Sequence, residues 1–418
     1  MSAVTQKNTD NGKNNGDFLN LAPRILELLK GVNQVELENF SMNIGDLDLF
    51  IPSSAYTARE GPAAPVASPT PARARPASLV PETYTPNLTE YPGRIREVTL
   101  GATKAEGGSR GKALTIGGTT TPAYADRVRL PPHSPVIALD VFDMPVSLPS
   151  PLKTHVADVL DNPAEWAKMN VEKYGADVIT IHLMSTDPLL RDSPVSAAVR
   201  TVEEILQAVD VPLIIGGCGD PKKDALVFSA VAEMARGERL LLNSVTLDMA
   251  EAKLLKSVAT AAKENDHILL AFTGLELNSA KELNRRLYEF IPPEQIIMDL
   301  TTVALGYGLE YSFTIHERAR YAALMGDAEL AHPVISAATN AWAAREAWMK
   351  MAGKYGPREL RGPIWETINA VTLLLAGIDL FLMMHPAAVF TIRDIIGQLE
   401  KPAGSAIPPA IDWTGVPL

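Results

Sequence analysis

The chain has 418 residues, 46% of them hydrophobic, and a net charge of -11, which fits one large α/β domain with an appendage and a full core. The acidic balance, without a dense cluster of Lys and Arg, excludes a nucleic-acid surface, because neutralising phosphates needs such a cluster. A single cysteine, Cys218, excludes an internal disulfide framework and an iron–sulfur cluster held by this chain alone, since each needs several thiolates.

Residues 1–51 read as a small N-terminal extension. Met1 to Asp10 lacks the apolar core of a signal peptide, and with the single cysteine this points to the cytoplasm. Phe18–Lys30 has helical amphipathic spacing closed by Gly31, and Val35–Phe40 and Leu47–Ile51 alternate with a period of two around Asn43-Ile44-Gly45. A short helix and a hairpin are predicted there. Residues 52–92 are rich in Pro and Ala, cannot build a core and read as a linker. Within 93–134, the runs Arg96–Leu100 and Lys112–Ile116 flank a Gly-rich turn and predict a β-hairpin placed to plug the bottom of a barrel.

Over residues 135–400 strand and helix patterns alternate eight times, with the strands predicted at Val136–Phe142, Val178–Leu183, Leu213–Gly217, Leu240–Asn243, Ile268–Thr273, Ile296–Leu300, Val334–Ala337 and Ile378–Met383. The pattern predicts a (β/α)8 TIM barrel, with a doubly wound open sheet as the alternative. Three helices are predicted to start at a capping residue followed by proline: Asn162-Pro163, Ser193-Pro194 and Asp220-Pro221. Ala370–Met384 is apolar but carries Gly377 and Asp379, so it reads as a buried helix running into a buried strand, not a membrane span. Residues 401–418 read as a tail.

Barrel enzymes place their functional groups at the C-terminal ends of the strands. Those ends carry Asp143, His182, Cys218, Asn243, Thr273, Asp299 with Thr301 and Thr302, Asn340 and His385. No His-x-x-x-His or carboxylate cluster marks a catalytic metal, there is no Gly-x-Ser-x-Gly turn, and no lysine ends a strand, so no catalytic residue and no metal ligand is assigned. Cys218 reads as a small buried filler, and His182 and His385 as histidines hydrogen-bonded to neighbouring loops, with a ligand role the less common alternative. Asn243 stands apart, because a neutral amide donates and accepts at once.

The runs Leu241–Thr246, Ile296–Asp299 and Ile335–Asn340 resemble the strand-end motifs of the pterin-binding methyltransferase barrels. In those enzymes an Asp, an Asn, an Asp and an Asn hold the pterin, and Asn243, Asp299 and Asn340 match three of them. The place of the third-strand acid falls on Gly217, which removes a charge-assisted hydrogen bond worth roughly 1.5–3 kcal/mol.

A more extensive resemblance runs from about Arg94 to Leu399. Glu97–Gly107, Thr115–Gly118, Ala138–Asp143 and Leu213–Asp220 resemble the small (delta) subunits of the corrinoid iron–sulfur proteins of carbon monoxide dehydrogenase/acetyl-CoA synthase systems. The resemblance implies a methyl-carrying subunit that pairs with a large subunit bearing a [4Fe–4S] cluster and holds cobalamin at the interface. Its further partners would be a methyl-tetrahydropterin methyltransferase and acetyl-CoA synthase. None of the seven histidines lies in an Asp-x-His-x-x-Gly pattern, so the chain is not expected to carry cobalamin by itself. The rim residues expected to contact the corrinoid are Asn243, Thr273, Thr301 and Asn340, followed by Asp143, His182 and Asp299. The alternative reading is a pterin-dependent methyltransferase acting on a corrinoid.

Overall fold

The computed structural model describes residues 89–126 and 129–401. The helix and hairpin expected in the first 51 residues, most of the linker and the tail from 402 onward lie outside the described residues.

Strands β1 (Glu97–Leu100) and β2 (Leu114–Gly117) form an antiparallel pair in which Val98 faces Ile116 and Thr99 faces Thr115, their hydroxyls 2.8 Å apart. Eight further strands follow: β3 (Val136–Phe142), β4 (Val178–His182), β5 (Leu213–Gly216), β6 (Leu241–Val245), β7 (Ile268–Phe272), β8 (Ile296–Asp299), β9 (Val334–Ala337) and β10 (Leu380–Met383). They close into a barrel, β10 pairing in parallel with β3 through Leu380 and Val136. The barrel is the expected fold, and that closure excludes the open-sheet alternative.

Strand alternation splits the core in two. Ile137, Leu139, Val141, Ile179, Ile181, Ile215 and Leu242 face outward into the cluster shared with the helices. Val136, Ala138, Val178, Ile214, Leu241, Ile268, Leu270, Ile297, Ile335, Leu380 and Leu382 line the inside. Val98, Leu100 and Ile116 of the hairpin belong to that inner cluster, so the hairpin's apolar side packs against the starts of the barrel strands.

The outer layer contains α1 (Ser150–Val156), α2 (Pro163–Glu172), α3 (Val195–Ala208), α4 (Pro221–Met234), α5 (Leu247–Glu251), α6 (Leu255–Glu264), α7 (Leu277–Leu287), α8 (Leu309–Leu324), α9 (Arg358–Leu375) and α10 (Pro386–Leu399). Asn162 caps α2 by accepting from Glu165 N at 3.2 Å, and Asp220 caps α4 by accepting from Lys223 N at 2.7 Å. The third expected cap is displaced. Pro194 occupies the cap position of α3 without a side-chain bond, while Ser193 N donates to Ser185 O in the preceding loop.

Five barrel-strand boundaries differ from the sequence reading by one residue (the ends of β4, β5, β7 and β8 and the start of β6), and two differ by two residues. β6 runs past Asn243 to Val245 through an irregularity in its pairing with β7, because Val245 is fully buried and continues the apolar layer. β10 begins at Leu380 and not Ile378: Gly377 turns the chain with φ +94°, and Asp379 accepts from Val334 N at 2.9 Å. Ala370–Met384 is thus split between α9 and β10, and no helix among the described residues is long and apolar enough to cross a membrane.

Candidate functional site

The inner face becomes polar towards the strands' C-terminal ends. On β3 the sequence Val136, Ala138 continues to Asp140; on β4 Val178 continues to Thr180 and His182; on β6 Leu241 continues to Asn243; on β8 Ile297 continues to Asp299. His182 and Asn243 flank Gly216 in the ladder. Gly216 leaves room for the imidazole, since a Cβ there would lie 3.1 Å from His182 Nδ1. The His182 ring stacks on Phe142 with centroids 4.9 Å apart. Its Nε2 lies 3.2 Å from Asp140 Oδ1, without hydrogen-bond alignment, and both Asp140 oxygens and the Thr180 hydroxyl are buried without a partner.

The residues expected at the site fall into two groups. Asn243, His182 and Asp299 have inner-face positions on β6, β4 and β8. Asn243 accepts from Ser244 Oγ at 2.7 Å, and its Nδ2 makes no hydrogen bond among the described residues. Asp299 accepts from Thr301 N at 2.8 Å through Oδ1; burial pushes its carboxyl up to about 7, opposed by that bond. Asn340 is exposed in the turn after β9 and donates Nδ2 to Thr302 O at 2.9 Å, leaving its carbonyl for a ligand.

Of the other three, Asp143 and Thr301 spend their side chains on holding loops. Asp143 has the outward parity of Val141 and accepts from Ser185 N at 2.9 Å and Ser185 Oγ at 2.5 Å, so it anchors the turn after β4. Burial raises its carboxyl, and the Ser185 bonds oppose the rise. Thr301, at φ +77°, spends its hydroxyl on Thr273 O at 2.8 Å. Thr273 follows the outward-facing Ala271 by two residues and is 5% exposed, so its hydroxyl is turned away from the mouth and has no partner.

Gly217 is explained by a residue on α4. A Cβ at Gly217 would lie 2.4–2.5 Å from the carboxyl atoms of Asp224. Asp224 is buried and accepts from Cys218 N and Gly219 N, both at 2.8 Å. A carboxylate therefore fills the space beside the β5 end, but it arrives from the helix and is bonded to the loop backbone. Burial raises both this carboxyl and the Cys218 thiol, although the cysteine is half-buried and not, as expected, fully buried.

His385 is a helix cap, accepting from Ala387 N at 3.1 Å through Nδ1. Burial, with His155 beside it, holds it down to about 4, so the ring is neutral. Beneath it, Glu366 of α9 is fully buried and accepts from Met384 N, His385 N and Trp342 Nε1 at 2.6, 3.0 and 3.0 Å. Burial pushes Glu366 up to about 7; the three bonds oppose this and the charge of Asp140 adds to it.

Sequence reasoning missed Asp140, Asp224, Glu366 and Phe272. Asp140 could have been found from the alternation through Val136 and Ala138, whereas Asp224 and Glu366 sit on helices and gave no strand-end signal. Phe272 ends β7 on its inner side and is 36% exposed, beside Leu275 in the same loop. With Leu189, Leu190 and Tyr307 in the loops after β4 and β8, it makes the rim partly apolar.

Residues 97–356 match the family model described as "CO dehydrogenase/acetyl-CoA synthase delta subunit". The chain is 47% identical over 360 residues to the acetyl-CoA decarbonylase/synthase complex subunit delta of Archaeoglobus fulgidus, covering 84% of this chain and 79% of that protein. It is 40% identical over 392 residues to the corresponding subunit of Methanocaldococcus jannaschii, covering 91% and 93%. Among solved structures it is similar to a Xanthomonas albilineans dihydropteroate synthase with 4-aminobenzoic acid, with TM-score 0.46 and 13% identity over 66% of this chain and 95% of that one.

Proposed function

Since this chain belongs to the CO dehydrogenase/acetyl-CoA synthase delta subunit family, we propose that it is the small subunit of a corrinoid iron–sulfur protein, its barrel mouth covering a cobalamin held jointly with a large [4Fe–4S] subunit in the cytoplasm. The corrinoid, when bound, supplies the methyl-carrying centre between a methyl-tetrahydropterin methyltransferase and acetyl-CoA synthase. The chain's own residues orient and shield.

The observation that carries this reading is the composition of the mouth. Neutral amides with free hydrogen-bonding capacity, Nδ2 of Asn243 and the carbonyl of Asn340, stand among exposed apolar groups such as Phe272 and Leu275. Amides match the carboxamide fringe of a corrinoid in both directions, and apolar groups exclude water from its face. The single cysteine leaves the iron–sulfur cluster to the partner. The rest of the apolar rim suits a protein partner whose aromatic and aliphatic groups close over it.

The pterin-methyltransferase alternative is less well supported. Asp224 stands beside the β5 end, but both its oxygens are engaged by backbone N–H groups, so its strongest acceptor directions are used within the loop.

The test is co-expression with the large subunit, measuring cobalt per heterodimer. Asn243→Leu is expected to lower corrinoid retention several-fold with the fold intact, and Phe272→Glu to weaken the heterodimer. Unchanged cobalt content and unchanged assembly in both variants would contradict the reading.

A further inference from the structure

The connection from β9 into α9 differs in charge from the rest of this acidic chain. Between residues 345 and 361 it carries Arg345, Lys350, Lys354, Arg358 and Arg361 against Glu346 and Glu359. None of the five cations makes an ion pair among the described residues. Surface cations alone would mean little, but Arg361 is not on the surface: it is 5% exposed.

Arg361 donates Nη2 to the Met349 carbonyl, while Nε and Nη1 are buried with no acceptor. Arg358, in the same first turn, donates Nε to the Trp348 carbonyl at 2.6 Å, so both guanidinium groups reach back towards the loop before the helix. One turn further along α9, Trp365 Nε1 is also buried without a partner. At the next turn Asn369 Nδ2 is in the same position, its carbonyl already taken by Leu305 N at 3.0 Å. Residues at i, i+4 and i+8 share a helix face, so four unpaired N–H-bearing atoms line one side of α9.

Burying a cation without a counter-charge is among the costliest arrangements a protein interior can hold. A set that only donates, around a guanidinium at the positive end of an 18-residue helix, calls for a ligand that only accepts. We propose that the start of α9 is an oxyanion-binding site, in which Arg361, supported by Arg358 and Trp365, takes a phosphate or carboxylate group. The planar fork of Arg361 offers paired N–H bonds to two oxygens of such a group, which exchanges places with the Met349 carbonyl. The site is built from α9 and the loop before it, without Asn243, and it does not depend on the corrinoid reading.

Titration of the full chain by calorimetry with inorganic phosphate and, separately, with acetate, each against chloride at matched ionic strength, tests the site. Saturable one-to-one binding of either anion is expected, and the better binder identifies the phosphate or the carboxylate as the ligand class. Arg361→Gln is expected to weaken it at least tenfold, Arg361→Lys less, and Lys281→Gln, whose partners are Asp327 and Glu329, not at all. If Arg361→Gln does not fold, Trp365→Phe removes one donor with little change in shape and is expected to weaken binding several-fold. Saturation by neither anion, or binding that survives both Arg361→Gln and Trp365→Phe, would leave only buried water there and overturn the proposal.

Discussion

Gly217 gives the sharpest structural test, because its lack of a side chain has a single geometric cause. Its backbone needs no left-handed conformation, so strain does not require a glycine, and the atoms nearest a Cβ there are those of the Asp224 carboxyl, at 2.4–2.5 Å. Gly217→Ala therefore forces overpacking of a well-filled site, at about 1–3 kcal/mol. Gly217→Asp adds a second carboxylate in the same space and displaces Asp224 from the Cys218 and Gly219 amides, two charge-assisted bonds of about 1.5–3 kcal/mol each. Part of that loss is recovered by hydration, so a net cost of at least ~3 kcal/mol is expected. Urea unfolding of Gly217→Ala, Gly217→Asp, Asp224→Ala and the double variant Gly217→Asp/Asp224→Ala measures this. The double variant should be more stable than the sum of the single changes predicts, with a coupling of at least about 1 kcal/mol. Additive effects, or a Gly217→Asp chain as stable as the original, would refute the account of the missing acid.

Two further outcomes follow from the interior. Glu366, raised by burial to about 7 from an ordinary 4.5, costs nothing below about pH 4.5, where it is protonated in both states; above that the unfolded chain ionises first and stability falls, the full cost being reached above about pH 7. Glu366→Gln removes this dependence, so its stability relative to the original should rise by on the order of 3 kcal/mol between pH 4.5 and 8; a pH-independent difference in urea midpoints would contradict it. Gly362→Ala sets helix propensity against sterics: alanine gains about 1 kcal/mol in a helix, but its Cβ would lie 2.2 Å from the Trp342 ring. Sterics should win, with a net loss of about 1–3 kcal/mol and altered tryptophan fluorescence; a stabilised variant would show that the Trp342 ring yields freely.

The barrel was legible because each strand is an apolar run ending at turn or polar residues, and because Asn162-Pro163 and Asp220-Pro221 announce their helices locally. Ser193 misled, since whether a hydroxyl caps a helix depends on whether the next residue's backbone leaves it within reach, and Pro194 took the cap position itself. The site was half legible. Asn243, His182 and Asp299 have the parity of the inner lining, but Asp143 was chosen as the last polar residue of its strand when parity favours Asp140, three residues earlier. Thr273 and Thr301 were placed near the mouth, but a strand position does not reveal that Thr301 spends its hydroxyl on the Thr273 carbonyl. Asp224 and Glu366 sit on helices that no strand-end pattern marks: Gly217 lies 7 positions before Asp224 and Met384 lies 18 after Glu366. The donor face of α9 has local spacing but a burial set by tertiary packing.

If the barrel mouth covers a corrinoid that this chain cannot hold unaided, cobalamin should stay bound only in the presence of the large subunit. Purifying the chain alone and together with its large subunit, each reconstituted with cobalamin, and measuring cobalt, iron and the visible spectrum tests it most directly. The chain alone is expected to be colourless and free of stoichiometric cobalt and iron, with corrinoid appearing only in the heterodimer. Stoichiometric cobalamin bound by the chain alone would contradict it.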